Sequence, residues 1–248
     1  MQPRKLRYMA NLIIDIGNTR TKIVVFEHED IKAHTTTDHL LTGLKAFVFR
    51  HSIQHAIIST TAQLTSEALD CIDSLPCPVL KMTGQTPVPV NVCYKSPQTL
   101  GTDRLAAVVE AHEQLPRQNI LVIDAGTCIT YDFIDSKKNY WGGNISPGLN
   151  MRLQAMHNQT ARLPLIDTLG EIPEIGYNTE TALRSGAILG VQLEIKGYIR
   201  HFQEKYDNLS VFLTGGDAKK LGISKESCIF ADDFIVPRGL NRILEYNL

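Results

Sequence analysis

Two apolar runs in this chain end in the same device: an aspartate, a glycine two residues on, and then a threonine. NLIIDIGNTRTK (11–22) carries Asp15, Gly17 and Thr19, and ILVIDAGTCIT (120–130) carries Asp124, Gly126 and Thr127. A glycine in a tight turn lets the backbone come close to a phosphate, and the neighbouring N–H groups supply donors. A Thr or Asn side chain adds another donor, and a carboxylate at the end of a buried strand can hold a hydrated cation beside the phosphates. One such turn is no more than a favourable hairpin. Two of them, together with a third apolar run ending in Thr214-Gly215-Gly216, suggest one phosphate-facing turn in each of two related halves. There is no G-x-x-x-x-G-K-[ST]. Each strand also leads into a hairpin rather than a helix N-terminus, so neither a P-loop nor a dinucleotide fingerprint fits. A nucleotide clamped in a cleft between the halves does.

A second group is Leu100-Gly101-Thr102-Asp103-Arg104, directly before a helical pattern. Such a segment can be an ordinary helix cap. An adjacent carboxylate and guanidinium at a helix start can also receive a hydroxyl and a small anion, with Asp103 accepting the proton of an attacking alcohol and Arg104 holding a carboxylate. A third is GGNISPG (142–148), either a tight strand-to-helix connection or a loop lying close to something. Trp141 and Met156 are packing residues on this view. The small residues Ala182, Ser185, Gly186 and Gly190 suggest close helix packing, within a subunit or across a dimer.

The elements that must position these groups repeat. Strand, hairpin at Gly17-Asn18 (read as tolerating positive φ) and strand come first. A short strand at 56–60, a helix at about 63–74, an edge-like strand in VPVNVCY and a helix from Thr102 follow. The second half restarts with ILVIDAGT and TYDFID, a Gly-rich hairpin and loop over KKNYWGGNISPG, helices at 149–161 and 180–204, a strand in 211–218 and a short closing helix, GLNRILEY. The expected architecture is two βββαβα-like halves, 11–118 and 119–248, after a flexible leader at 1–10 in which Met9 is an alternative start.

Bulk properties narrow the function. The chain has 248 residues, 43% hydrophobic and 21% charged, so a packed globular fold is expected. A formal net charge of −1 gives no broad attraction to nucleic acid or anionic lipid. The five cysteines, at 71, 77, 93, 128 and 228, include no C-x-x-C and suggest free thiols in a reducing cytosol. No apolar run reaches the roughly 20 residues of a membrane span, and no histidine pair has zinc spacing.

In order along the chain, DIGNTRTK, LGTDR, DAGTCIT, GGNISPG, NTETALRSGAILG and TGGD resemble the type III pantothenate kinases of bacteria, from about residue 11 to the C-terminus. The resemblance implies an α/β fold of duplicated ribonuclease-H-like halves, as in the actin, sugar kinase and acetate kinase superfamily. It implies phosphorylation of pantothenate by ATP in the first step of coenzyme A synthesis. Asp15, Ile16, Gly17, Asn18, Thr19, Arg20, Thr21, Lys22 and Thr127 would bind ATP. Asp103 would be the catalytic base. Tyr94, Gly101, Thr102, Asp103 and Arg104 would line the pantothenate pocket. Thr179 would reach pantothenate bound to the partner of a homodimer. Asp124 would hold a monovalent cation, potassium or ammonium, and Asp15 would lie in the magnesium environment. Cytoplasmic location, with no nucleic-acid or membrane partner, is expected. Cys128 departs from the alanine common at its position. The alternatives are a kinase for another small hydroxy acid and a nucleotide-binding accessory regulator of transcription. A polymerising ATPase of the actin kind would need a longer chain.

Overall fold

The computed structural model describes residues 10–38, 44, 47, 51–223 and 229–248. The expected leader, apart from Ala10, and Cys228 lie outside them. Contacts divide the chain into two compact units: the described residues up to Glu113 together with Phe234–Leu248, and Gln114–Asp233.

The first unit is built on β1 (Ala10–Ile16), β2 (Thr21–Glu27), β3 (Asp30–Thr37), β4 (Ile53–Thr60) and β5 (Val79–Lys81), in the sheet order β3-β2-β1-β4-β5. β1 is antiparallel to β2 and parallel to β4. Buried between two neighbours, β1 hides almost every side chain, which explains its unbroken apolar run. β3, at the edge, alternates exposed and half-buried residues, DIKAHTTT. That alternation of threonines is too weakly apolar to read as a strand; the third expected strand is the run at 56–60, which is β4, so β3 is an addition to the expected order.

Helix α1 (Ser66–Asp73) starts at Thr65, whose hydroxyl accepts from the Ala68 N–H at 3.3 Å. The expected VPVNVCY strand shrinks to β6 (Asn91–Val92), which fits its prolines. Helix α2 (Thr102–Gln114) begins where expected. One core of this unit joins Leu12, Ile14, Ile23, Val25, Ala56 and Ile58 with Ile72 of α1.

The second unit repeats the plan. β7 (Asn119–Ala125) is antiparallel to β8 (Cys128–Ile134), which is antiparallel to β9 (Asn139–Pro147). On the other side, β10 (Leu209–Thr214) is parallel to β7 and β11 (Ile229–Ala231) is parallel to β10. The order β9-β8-β7-β10-β11 is the order of the first unit with its strands renamed. Helix α3 (Leu149–Asn158) follows β9, α4 (Thr179–Lys205) spans the crossover to β10, and the single turn α5 (Ala218–Leu221) precedes β11. α4 covers the sheet by setting Ile188, Val191, Ile195 and Ile199 on Leu121, Ile123, Ile129 and Tyr131. Tyr198 stacks on Tyr131 at 3.9 Å between ring centres.

Two expectations change here. KKNYWGGNISPG is largely a nine-residue strand rather than hairpin and loop. Gly142 takes φ 95°, and a Cβ on Gly143 would stand 1.9 Å from the Tyr131 carbonyl oxygen, so both glycines serve close strand pairing. The closing helix is longer than GLNRILEY: α6 spans Ile235–Tyr246. It packs on β1 and β4, so Phe234–Leu248 groups with the first unit, whereas the expected second half, 119–248, included it. The reason is a strong apolar stripe of Ile235, Val236, Leu240, Ile243 and Leu244, all buried. Asn241 adds a polar lock, accepting from the buried Asn11 amide at 2.8 Å and donating to the His28 carbonyl at 2.9 Å.

Gly239 marks a close approach of α6 to α2, since a Cβ there would stand 1.9 Å from the Ala106 carbonyl oxygen. Gly239→Ala should therefore destabilise the fold by about 1–3 kcal/mol. Thermal unfolding followed by circular dichroism checks this, and an unchanged Tm would contradict the packing described.

Candidate active site

In the first unit, the chemistry gathers at the C-terminal ends of β1 and β4. Asp15, half-buried, lies opposite Lys22 on β2 and in register with Ser59 on β4. The hairpin turn between β1 and β2 spans residues 17–20, where the Gly17 N–H donates to the Arg20 carbonyl at 3.1 Å. Neither Gly17 nor Asn18 takes the expected positive φ. A Cβ on Gly17 would stand 3.2 Å from that same carbonyl oxygen, a tight contact. Asn18, Thr19 and Arg20 are exposed at the tip, Thr21 is buried and Lys22 half-buried.

Ser59 links this turn to the second group. Its hydroxyl, fully buried, shares a hydrogen bond of 2.8 Å with the Thr102 hydroxyl at the start of α2. Asp103 follows, half-buried, with Oδ1 accepting from the Arg104 N–H at 2.8 Å. Gly101 leaves room for that carboxylate, because a Cβ there would meet Asp103 Oδ1 at 2.6 Å. Arg104 is buried, and its guanidinium lies 5.8 Å from the centre of the Tyr94 ring, within reach of a cation–π attraction. DIGNT, LGTDR and Tyr94 are thereby tied together within one unit.

In the second unit, the turn is shorter. β7 and β8 are joined through Gly126 and Thr127, with the Gly126 N–H donating to the Cys128 carbonyl at 2.9 Å. Thr127 is exposed and Asp124 half-buried. Two glycines from other motifs close on the back of this turn. The Gly148 N–H donates to the Thr127 carbonyl at 3.1 Å, and a Cβ on Gly148 would stand 2.2 Å from the Gly126 carbonyl oxygen. Gly215, at φ 97°, leaves no room for a Cβ either, which would stand 2.3 Å from the Ala125 carbonyl oxygen and 2.5 Å from Asp124 Oδ1. The loop read as lying close to something thus lies against the second turn.

Thr179 is exposed in the first turn of α4, just after Asn178, which caps the helix with a reciprocal Asn178–Thr181 box. On the same helix, a Cβ added to Gly186, Gly190 or Gly197 would meet no atom within 4 Å, and Leu193 is 70% exposed. These glycines are not used for packing within the described chain.

Donor chemistry at the two turns suits hard cations. Each offers one carboxylate beside hydroxyl and backbone oxygens, and among the described residues no group of three or more His, Cys, Asp or Glu is placed to hold a metal ion by itself. Magnesium typically keeps several waters and needs only one or two protein carboxylates when phosphates complete its shell, so the residues fit. No helix among the described residues is long and apolar enough to cross a membrane, and Cys71, Cys77, Cys93 and Cys128 are unbridged.

With this geometry in hand, a family model described as type III pantothenate kinase matches residues 11–201. The chain belongs to the type III pantothenate kinase family. It is 49% identical to a type III pantothenate kinase of Bacteroides fragilis, over 96% of this chain and 98% of that protein. Over the same shares it is 47% identical to one of Phocaeicola vulgatus. One of Porphyromonas gingivalis is 42% identical over 96% of this chain and 99% of its own. Among solved structures, a Campylobacter jejuni protein assigned to the Baf family of transcriptional activators superposes with a TM-score of 0.62 at 22% identity, over 95% of this chain and 98% of its own. A Listeria monocytogenes protein assigned as an N-acetylmannosamine kinase gives 0.52 at 14%, over 97% and 100%. At such identities these likenesses speak for the fold alone, a duplicated ribonuclease-H-like α/β fold.

Sequence reasoning about this type III pantothenate kinase family member missed three supports. Ser59 follows Ala56-Ile57-Ile58 near the end of β4, where a polar residue gives little signal. The other two, Arg152 and Glu194, sit within helices and belong to no motif. Arg152 pairs with Glu194 at 2.5 Å, and Glu194 Oε1 also accepts from Ser146 Oγ at 2.6 Å and Tyr131 OH at 2.7 Å. Burial by itself would raise the Glu194 carboxyl. The Ser146, Arg152 and Tyr131 donors outweigh it and hold the group below its ordinary value of 4.5. The folded protein thus binds this proton more weakly than the unfolded chain does. The resulting stability is complete above the ordinary value and is lost as pH falls through the lower, folded one. Glu194→Gln should accordingly show a flatter fall of Tm than the parent chain between about pH 5 and pH 3. Parallel Tm curves for the two proteins would contradict the depressed carboxyl.

Proposed function

We propose that this chain transfers the γ-phosphoryl group of ATP to the primary hydroxyl of pantothenate, with Asp103 receiving the proton of that hydroxyl. Family membership makes the chain an ATP-dependent pantothenate kinase of coenzyme A biosynthesis. The observation that carries the residue assignment is the Ser59–Thr102 hydrogen bond. It ties the start of α2, and so Asp103, to the strand beside the DIGNT turn.

A primary alcohol is a weak acid, and phosphoryl transfer passes through a loose transition state. Early deprotonation is therefore unnecessary. Asp103 needs only to orient the hydroxyl and take its proton late, while positioning and charge neutralisation supply most of the rate. Asp15, Ile16, Gly17, Asn18, Thr19, Arg20, Thr21 and Lys22 bind ATP in the first turn, and Thr127 binds it in the second. Gly101, Thr102, Arg104 and Tyr94 form the pantothenate pocket with Asp103. Arg104, buried and backed by the Tyr94 ring, receives the pantothenate carboxylate through its planar fork. A kinase for an acceptor without a carboxylate would not need that arrangement. Asp15 would lie in the environment of magnesium, which would neutralise phosphate charge when bound with ATP. Asp124 takes a monovalent cation, potassium or ammonium.

The proposal includes a homodimer in the cytoplasm. Exposed Leu193 and the open positions at Gly186, Gly190 and Gly197 suit a helix of a second copy, and exposed Thr179 would then contact pantothenate held by the partner. The unbridged cysteines suit a reducing compartment.

Formation of 4′-phosphopantothenate, followed by mass in potassium and in sodium buffer, tests the central claim. The expected result is potassium-dependent product, with kcat reduced about 10²–10⁴-fold in Asp103→Asn while ATP binding persists. ATP binding without product under any cation would sink the kinase assignment. For the dimer, Leu193→Glu should sediment as a monomer where the parent sediments as a dimer. A parent chain that is itself monomeric would remove that part.

A further inference from the structure

The GGNISPG motif has no role in the site as assigned above, yet its last glycine forms the back of the second turn. Gly148 reaches that place through a short polar chain. The Arg152 Nε–H, one helical turn on, donates to the Pro147 carbonyl at 2.8 Å. The same guanidinium pairs through its NH2 group with Glu194 Oε2 on α4. The other oxygen of Glu194 takes the hydroxyl of Ser146, directly before Pro147, and the phenol of Tyr131 on the strand that leaves the turn. One carboxylate thus gathers residues 131, 146 and 152, and through Arg152 the carbonyl of 147. The pair is mostly withdrawn from water, with side-chain exposures of 23% for Arg152 and 24% for Glu194.

Burying such a pair gives little net stability, because desolvation offsets much of the attraction. An apolar pair would fill the same space. What the ions add is direction: the guanidinium is a rigid planar fork that can satisfy a carboxylate and a carbonyl only in a fixed orientation.

We propose that Arg152 and Glu194 are positioning residues for the second phosphate turn, holding Pro147-Gly148 against the carbonyls of Gly126 and Thr127 and so fixing how the turn faces phosphate. This rests on the reading of Gly126–Thr127 as an ATP-binding turn. Amide planarity transmits the effect. With the Thr127 carbonyl held by the Gly148 N–H, the N–H of the same peptide, on Cys128, must point the opposite way. The Ala125 carbonyl is held similarly by the Asp217 N–H at 2.9 Å. Loss of the Arg152 contact frees Pro147-Gly148, and one wall of the turn then yields.

Steady-state kinetics on four folded variants test this. Arg152→Ala and Arg152→Lys, the second keeping charge without the fork, should each raise the KM for ATP, by about tenfold for alanine. The KM for pantothenate should stay within about twofold of the parent value. Tyr131→Phe removes a donor from the same carboxylate but leaves the Arg152 fork in place. It should lower Tm with no change in the KM for ATP. Gly148→Ala, whose Cβ would collide with the turn directly, should raise the KM for ATP whatever Arg152 does. If Gly148→Ala raises it and neither Arg152 variant does, the positioning role is overturned and the ATP-binding turn stands. If Gly148→Ala leaves it unchanged as well, the ATP-binding reading itself fails. Parallel loss for both substrates in the Arg152 variants would mark general distortion and would also overturn the proposal.

Discussion

Everything in the two units follows from how one central strand is paired. β1 has an antiparallel neighbour on one side and a parallel neighbour on the other, and β7 repeats the arrangement. An antiparallel neighbour places a hairpin at the strand's C-terminal end, and a parallel neighbour places its own C-terminal end beside that hairpin. Each unit therefore gathers a tight turn and a second strand end at one rim of its sheet. In the first unit that rim holds Asp15, Ser59 and, through Ser59, the start of α2. In the second it holds Asp124, the Gly126–Thr127 turn and Gly215. In open α/β sheets, ligands generally lie outside the carboxyl ends of the parallel strands, and here the motif residues have nowhere else to be.

Glycines at these rims act by what they leave out. Only Gly215 takes a left-handed backbone among those at the turns; Gly148 is needed because a carbonyl occupies the place of its Cβ. This separates two uses of glycine that look the same in a sequence. Conformational freedom is the usual explanation for a glycine in a turn, but at Gly148 the requirement is space beside two backbone carbonyl oxygens.

Much of the fold was legible because buried central strands write themselves as apolar runs. NLIIDI, AIIST, ILVIDA and VFLT all fall in the interiors of their sheets, and α2 and α4 began within a residue of where the pattern put them. What was not legible lay at edges and across long separations. β3 is an edge strand rich in threonine and β9 a strand rich in glycine, and the period of both is faint. The destination of α6 could not be read either, since an amphipathic stripe says that a helix is buried but not against which strands. The candidate site was legible to the extent that its residues stand in motifs. Ser59, Arg152 and Glu194 support it from ordinary positions, and only the fold brings residue 194 to residues 131, 146 and 152.

The course of the chain through its two units has a consequence for synthesis. The first unit is interrupted: α6, which packs on its sheet, comes after the entire second unit has been made. The second unit is one continuous stretch. On a ribosome, the face of β1 and β4 on which α6 packs must therefore wait for residues made after the second unit, whereas the core with Ile72 of α1 needs no such wait. Until then those strands present apolar surface to the cell, the state in which nascent chains are most open to aggregation and chaperone capture.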